Sequence, residues 1–551
     1  MKRFLALLLT ALMLTGCGSK TVAEVTETTI PAPQEVPLAV IPAENPQPFE
    51  SRFDDTTLIK LSDDGITVEG NEEAVYTSND IIYYEDRDAY DSGNPYGEGE
   101  AHERHTAEEA AAHTVVNITQ PGAYTLMGTL SAGQIRVDLG EDAYEDPNAV
   151  VELNLMGVDI TCTVAPAILF LNTYECDGDW SEDDAKPDVD TSAAGANLVL
   201  MSDGNTISGS HVAKIFKDKD GEKKLWKQDA AIYSYMSMNV WGLGSMDLTA
   251  DNEGLGTELH LTINGGDINI YSDNDGINTN EDGVSVTTIN AGNLHIAAGL
   301  GKEGDGIDSN GYLVINGGTV VSSANPASDA GLDSDLGSYI HGGTVIALGS
   351  TMDWVESESG QVTMNLQFAR QQKAGSKITI TKTDGTEIFS FEDEGQYARG
   401  FSGLILSHAG FTTGETYYLY VDEQQMAYTG TDMRMGGGRG QWPDGMEFPE
   451  GMEPPEGFTP GAKPAEFPLP DGETMPADFD PSQFGGKGQR GDGMTPPEGF
   501  GGEPPTLPEG ETWPEGARPD RGSPEDTANL EPSVEFYLAD KVNAFSGIAA
   551  A

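Results

Sequence analysis

The feature that most constrains this chain of 551 residues is a repeat. Ile263-Asn264-Gly265-Gly266, Ile289-Asn290-Ala291-Gly292, Ile315-Asn316-Gly317-Gly318 and Ile340-His341-Gly342-Gly343 follow one another at steps of 26, 26 and 25 residues. A unit of that length, made of several short β-type runs, cannot bury its own apolar face and must stack on its neighbours as a β-solenoid. The second position after each glycine pair is Ile268, Leu294, Val320 and Val345, a column of β-formers that stacking turns inward as core. Stacking also aligns Asn264, Asn290 and Asn316, whose amides can then hydrogen-bond from unit to unit. The glycine pairs supply backbone angles that other residues resist. A degenerate unit ends at Trp241-Gly242-Leu243-Gly244, so the stack begins upstream of the clear repeats.

Short strand-like runs separated by Gly, Asn and Asp, such as Gln134-Ile135-Arg136-Val137 and Ile168-Leu169-Phe170-Leu171, extend the all-β reading. The stack is placed at residues 115–350, after an N-terminal cap or lead-in at 49–114 with one short helix near 107–112. Residues 351–430 lose the repeat but keep strand pattern, as in Lys377-Ile378-Thr379-Ile380-Thr381, and read as a β-rich cap over the end of the stack. Residues 431–530 are dominated by Pro, Gly, Glu and Met and read as a long disordered insertion. Residues 531–551 regain apolar strand character and are expected to return to the folded body.

At the other end, Met1-Lys2-Arg3, an apolar run over 4–14 and Leu14-Thr15-Gly16-Cys17 form a basic, hydrophobic and cleavage-site sequence. The run is too short to span a bilayer. Small residues before Cys17 resemble the lipobox of bacterial lipoproteins, which implies a lipidated Cys17; the alternative is an ordinary secretory peptide with an incidental cysteine. Residues 1–17 are thus the expected signal peptide and 18–48, rich in Thr, Glu and Pro, a disordered tether. The expected location is the outer face of the bacterial cytoplasmic membrane, at the cell surface. Cys162 and Cys176, the remaining cysteines, either form one disulfide or stand as two free buried thiols.

Acidic residues number 91 against 29 basic, a net charge of −62 that excludes nucleic acid as a partner. The acids recur in turns: Asp273-Asn274-Asp275-Gly276-Ile277-Asn278, Asp305-Gly306-Ile307-Asp308 and Asp329-Ala330-Gly331-Leu332-Asp333-Ser334-Asp335. If Ile277, Ile307 and Leu332 stack inward, the flanking carboxylates form columns with about 5 Å between units. Asp and Gly make turns without any metal. Three such turns, in a stretch from 251 to 350 whose only Lys or Arg is Lys302, leave like charges that a cation would relieve. A hard ion taking six to eight oxygens fits, and Ca2+ fits better than zinc or copper because no His/Cys cluster is present. The candidate ligands are Asp273, Asp275, Asn278, Asp305, Asp308, Asp329, Asp333 and Asp335.

These units, with Tyr124-Thr125-Leu126-Met127-Gly128-Thr129-Leu130, Gly133-Gln134-Ile135, Ser202-Asp203-Gly204-Asn205 and Val542-Asn543-Ala544-Phe545-Ser546-Gly547, resemble the clostridial carbohydrate-binding β-helix family. The resemblance runs from about residue 115 to 428 and resumes at the C-terminal strand; the long Pro/Gly insertion departs from it. It implies a right-handed parallel β-helix that binds calcium and an acidic plant polysaccharide such as pectin or polygalacturonate, and cellulose as a further ligand, without catalysis. Parallel β-helices also house polysaccharide lyases and glycoside hydrolases, so the fold does not choose between binder and enzyme. A lyase needs a basic residue near the sugar's acidic proton, and the clear repeats offer only Lys302. Gly-His-Gly and Arg-Ile-Lys, which a polygalacturonase requires, do not occur, although Asp275 and Asp305 remain a candidate hydrolase pair. A third reading is a structural adhesin whose calcium serves folding alone. Trp241, Tyr271, Tyr312 and Trp354 can stack on sugar rings, though an aromatic in a β-protein more often belongs to the core.

Overall fold

The computed structural model describes residues 49–84, 103–178, 185–219, 222–393, 395, 397–431 and 531–551. All of them belong to one compact unit. Residues 435–528, most of the expected Pro/Gly insertion, lie outside the described residues, as do the leader, Cys17 and the tether. Among the described residues this unit is nearly all β, with a 24-stranded, a 9-stranded and a 2-stranded sheet and one short α-helix, Ala107–Ala111, begun by a Thr106–Glu109 capping box. No helix among the described residues is long and apolar enough to cross a membrane.

Each repeat contributes one strand to each of three columns of parallel strands. The unit after Ile263, for example, supplies Asp267–Ser272, Ile277–Thr279 and Val286–Ile289. The register never slips between clear repeats: Leu255 faces Ile277, Ile277 faces Ile307 and Ile307 faces Leu332. These four side chains are fully buried, as are or nearly are Ile268, Leu294, Val320 and Val345 in the second column. Each such aliphatic contributes on the order of 1.5–3 kcal/mol by leaving water. A slip of one residue would turn every one of them to solvent, which fixes the register.

The second glycine of each pair is indispensable to the corner. Gly292, Gly318 and Gly343 have φ of 100°, 81° and 85°. A Cβ on each would stand 2.8, 2.6 and 2.5 Å from the carbonyl oxygen of the corresponding glycine one unit back. Both backbone angle and close approach therefore demand glycine there.

The first repeats are preceded by an antiparallel pair, Val75–Ser78 on Thr114–Ile118. At the far end the parallel pattern stops where Phe401–His408 pairs antiparallel with Thr344–Gly349. Thr363–Gln372 then joins Phe401–His408 to the C-terminal strand Val542–Ala550. This end has its own core, in which Leu366, Phe389, Leu404, Tyr417, Phe536 and Phe545 pack together. Covering the last strands in this way removes an open sheet edge.

Candidate functional site

Two surfaces carry chemistry. The first is the outer face of the column formed by Met238–Gly242, Leu261–Ile263, Val286–Ile289, Tyr312–Ile315 and Gly337–Ile340. Alternation along these strands buries Val240, Ile263, Ile289, Ile315 and Ile340. It turns Asn239, Thr262 and Thr288 to the opposite face, in register with one another. The residue that follows each buried aliphatic begins the corner, and these line up as Trp241, Asn264, Asn290, Asn316 and His341. Asn290 Nδ2 donates to Asn264 Oδ1 at 2.8 Å, and Asn316 Nδ2 donates to Asn290 Oδ1 at 2.8 Å, so the expected amide ladder is formed.

These residues floor a groove of about 390 Å³ whose side wall is the 187–192 loop. Thr191 pins that loop: its hydroxyl is 2.7 Å from both Asn239 Oδ1 and Thr262 Oγ1, and its carbonyl accepts from Asn239 Nδ2 at 2.8 Å. Trp241 is partly exposed at one end, with Nε1 donating to Asn197 Oδ1 at 3.2 Å. At the other end stand His341 and, stacked on it at 6.1 Å, Tyr339, which in turn meets Tyr312 at 6.1 Å. Among the described residues no lysine or arginine lines the groove, whereas Asp188 and Asp190 do. An indole at one end and a row of amides beside the Thr262 and Thr288 hydroxyls along the floor match the two kinds of surface a sugar presents, its C–H face and its hydroxyl edge.

The second surface is the edge of the column formed by Glu253–Thr257, Ile277–Thr279, Ile307–Ser309 and Leu332–Ser334, where the acid turns lie. Asn278, Asp308 and Asp333 stand in register. A neighbouring column holds Glu253, Asp275 and Asp305, because Gly254, Gly276 and Gly306 donate in turn to the carbonyls of Asp275, Asp305 and Ala330. Asp275 Oδ1 accepts from the Asp305 amide and Asp305 Oδ1 from the Ala330 amide, each at 2.7 Å, so these carboxylates tie one unit to the next. Burial, and then Asp308, Glu253 and Asp305, push the Asp275 carboxyl well above the ordinary aspartate range. Burial and Asp229 likewise push Glu253 up to about 8, against the opposing pull of Lys227. Lys227 Nζ lies 2.9 Å from Asp229 Oδ2 and donates to Asn280 Oδ1 at 2.6 Å, placing one ammonium at the start of the acid column. Asn278 Nδ2 donates to Glu253 Oε1 at 2.9 Å, yet Glu253 Oε2 and Asn278 Oδ1 are buried with no hydrogen-bond partner.

The structure thus brings together Asp275, Asn278, Asp305, Asp308 and Asp333 but sets the other candidates apart. Asp273 is exposed and interacts with Asp251. The third turn is offset by one residue: Ala330, not Asp329, continues the Asp275–Asp305 column, and Asp329 Oδ2 accepts instead from the Gly304 amide at 2.8 Å. Asp335 is exposed beyond the column. Among the described residues no three His, Cys, Asp or Glu side chains stand close enough together to hold a metal ion. Cys162 and Cys176 are both free thiols. Sequence reasoning missed Glu253, although Glu253-Gly254-Leu255 is the same acid-Gly-aliphatic triplet as Asp275-Gly276-Ile277. It also missed Lys227 and the 187–192 loop, whose positions no periodicity announces.

A family model described as carbohydrate-binding domain-containing protein matches residues 112–177 and 182–399, more than half of the chain. The chain belongs to this family. The matched region contains both surfaces described above. A carbohydrate-binding domain-containing protein of Acetivibrio thermocellus is 31% identical over 156 residues, which are 28% of this chain and 44% of the relative. The chain therefore spans less than half the length of that relative. Among solved structures, the polysaccharide lyase-like protein from C. thermocellum, as a gadolinium derivative, is 20% identical with a TM-score of 0.28, over 52% of this chain and 93% of that one.

Proposed function

We propose that this family member binds a polysaccharide chain lengthwise in the groove between Trp241 and His341, and does so without cleaving it. The observation that carries the reading is the groove floor, an amide ladder ending in an indole, in a chain whose family is carbohydrate-binding. The three columns of parallel strands support a right-handed parallel β-helix as the architecture that presents it. The non-catalytic reading is supported by the carboxylates of Asp275 and Asp305, whose oxygens accept from backbone amides of the adjacent units.

The favoured ligand is an acidic plant polysaccharide such as pectin or polygalacturonate, held with Ca2+. Glu253 and Asn278 carry unpartnered buried oxygens beside Asp275 and Asp308; as they stand these side chains do not converge on one point, but oxygens of this kind are the hard donors calcium takes. An ion there would draw these side chains inward and relieve the mutual repulsion of the columns, supplying positive charge in a strongly acidic protein. With residues 1–17 as a lipoprotein leader, the domain would be carried on the outer face of the cell.

The test is retention of the purified domain on polygalacturonate and on neutral glucans, with calcium and with chelator, alongside assays for unsaturated product and new reducing ends. Calcium-dependent retention without product, weakened but still measurable in Trp241→Ala, is the expected result. Product formation would establish an enzyme, and retention by Trp241→Ala equal to the parent would remove the groove from consideration.

A further inference from the structure

The segment that enters the fold ahead of its first strand has no part in the stack, yet it touches both the floor and the side wall of the groove. Phe49 lies with its ring centroid 5.7 Å from that of Trp241, at 48° to the indole plane. Two residues on, Ser51 Oγ donates to Glu152 Oε2 at 2.6 Å and the Arg52 amide donates to Glu152 Oε1 at 2.8 Å. Arg52 Nη2 donates to the carbonyl of Ser192, in the loop that forms the side wall. Glu152 is 1% exposed and stands in register with Asn197, which is in register with Asn239. The carboxylate therefore projects on the same outward face as the groove floor, two strands earlier, and both its oxygens are taken by residues 51 and 52. From there the chain runs into Thr56–Leu61, fixed in parallel along Gly122–Leu130.

We propose that Phe49 and Arg52 are positioning residues for glycan binding, acting through Trp241 and the 187–192 loop; this rests on the groove being the sugar site. The indole nitrogen is bonded to Asn197 and one side of the ring system meets Phe49, so the plane offered to a sugar is set by the entering segment. A partly exposed tryptophan held at the nitrogen alone can still swing about that bond, and a platform that swings loses affinity to ordering on binding. Arg52 does the same for the loop, which Thr191 otherwise holds at a single residue. Glu152 is the anchor that makes the arrangement rigid, since a buried carboxylate with both oxygens hydrogen-bonded resists displacement.

The test uses the mature chain and polygalacturonate with calcium, read by affinity electrophoresis and by the difference in tryptophan emission between each protein and its Trp241→Phe counterpart. Phe49→Ala should weaken binding about tenfold, the scale of one aromatic pair, with Phe49→Tyr restoring it. The Trp241 contribution to emission should shift to the red and lose anisotropy in Phe49→Ala, while the unfolding midpoint stays put. Arg52→Ala should weaken binding in the same direction without altering that emission. In a Trp241→Ala background Phe49→Ala should add nothing, because it acts through the indole. Unchanged or tighter binding by Phe49→Ala, or a full additional loss in the Trp241→Ala background, overturns the inference while leaving the groove as the sugar site. Undiminished binding by Trp241→Ala alone overturns the groove reading and this inference with it.

Discussion

Stability of the calcium-free protein should fall as pH rises, and Asp353 gives the size of the effect. Burial, followed by the neighbouring charge of Asp333, raises its pKa to about 6, against hydrogen bonds from the Ser334 amide and hydroxyl that favour the anion. The folded protein then keeps a proton that the unfolded chain releases at about pH 4. The stability contributed by this group is complete below that point and is lost as pH climbs through 6. A difference of about two pH units corresponds to about 3 kcal/mol, a large part of what holds an ordinary domain together. Glu253, pushed up to about 8, acts in the same direction and extends the window upward. The assay is urea unfolding in chelator from about pH 4 to about pH 7, for the parent and for Asp353→Asn, repeated in calcium. The parent should lose about 3 kcal/mol more than the variant across that range, and calcium should flatten both curves. Equal pH slopes for the two proteins, or a parent that gains stability with pH in chelator, would refute the reasoning.

Three further outcomes are expected. Ile277→Ala removes a fully buried side chain between Leu255 and Ile307 and should cost about 3–4 kcal/mol in urea unfolding, with weakened calcium binding because the adjacent acid columns lose their alignment. His211 lies between Asp251 at 2.9 Å and Glu103 at 3.1 Å; burial opposes its charge, but the two acids outweigh it and push the pKa up to about 10. Its contribution is therefore full below its ordinary pKa and lost as pH rises through 10, so the protection of amides around residues 103–113, measured against their intrinsic exchange rate, should fall through that pH in the parent but not in His211→Ala. Burial pushes the thiols of Cys162 and Cys176 up to about 12, so in a chain lacking Cys17 both should resist thiol reagents when native and both should react in denaturant without prior reduction.

The repeat made much of the architecture legible because its period is set by backbone geometry. Once Ile268, Leu294, Val320 and Val345 are aligned, the asparagines and the glycine corners are aligned too, and the observed ladder follows. The acid turns were legible only as far as the period held. Asp275, Asn278, Asp305 and Asp308 fell into columns, but the Asp329 turn carries one residue more before its glycine, and Ala330 took the place an acid was expected to fill. The side wall of the groove was not legible at all. Thr191 reaches Asn239 across 48 positions and Thr262 across 71, contacts that depend on how a nonrepeating loop lies and leave no mark on local composition.

The amide ladder is a ruler with identical marks. Asn264, Asn290 and Asn316 recur at the spacing of neighbouring β-strands, about 4.8 Å, and carry the same carboxamide at each step, from the buried Asn264 to the exposed Asn316. A periodic polymer laid along such a ruler has no single correct alignment; it can shift by one mark and meet the same chemistry. Affinity for long chains then grows partly by counting alignments, a factor of about three for three marks, and loss of one mark leaves the others able to hold. Release proceeds by sliding towards an end, and the two marks unlike the rest, the indole of Trp241 at one end and the imidazole of His341 at the other, decide where along the ruler a chain comes to rest.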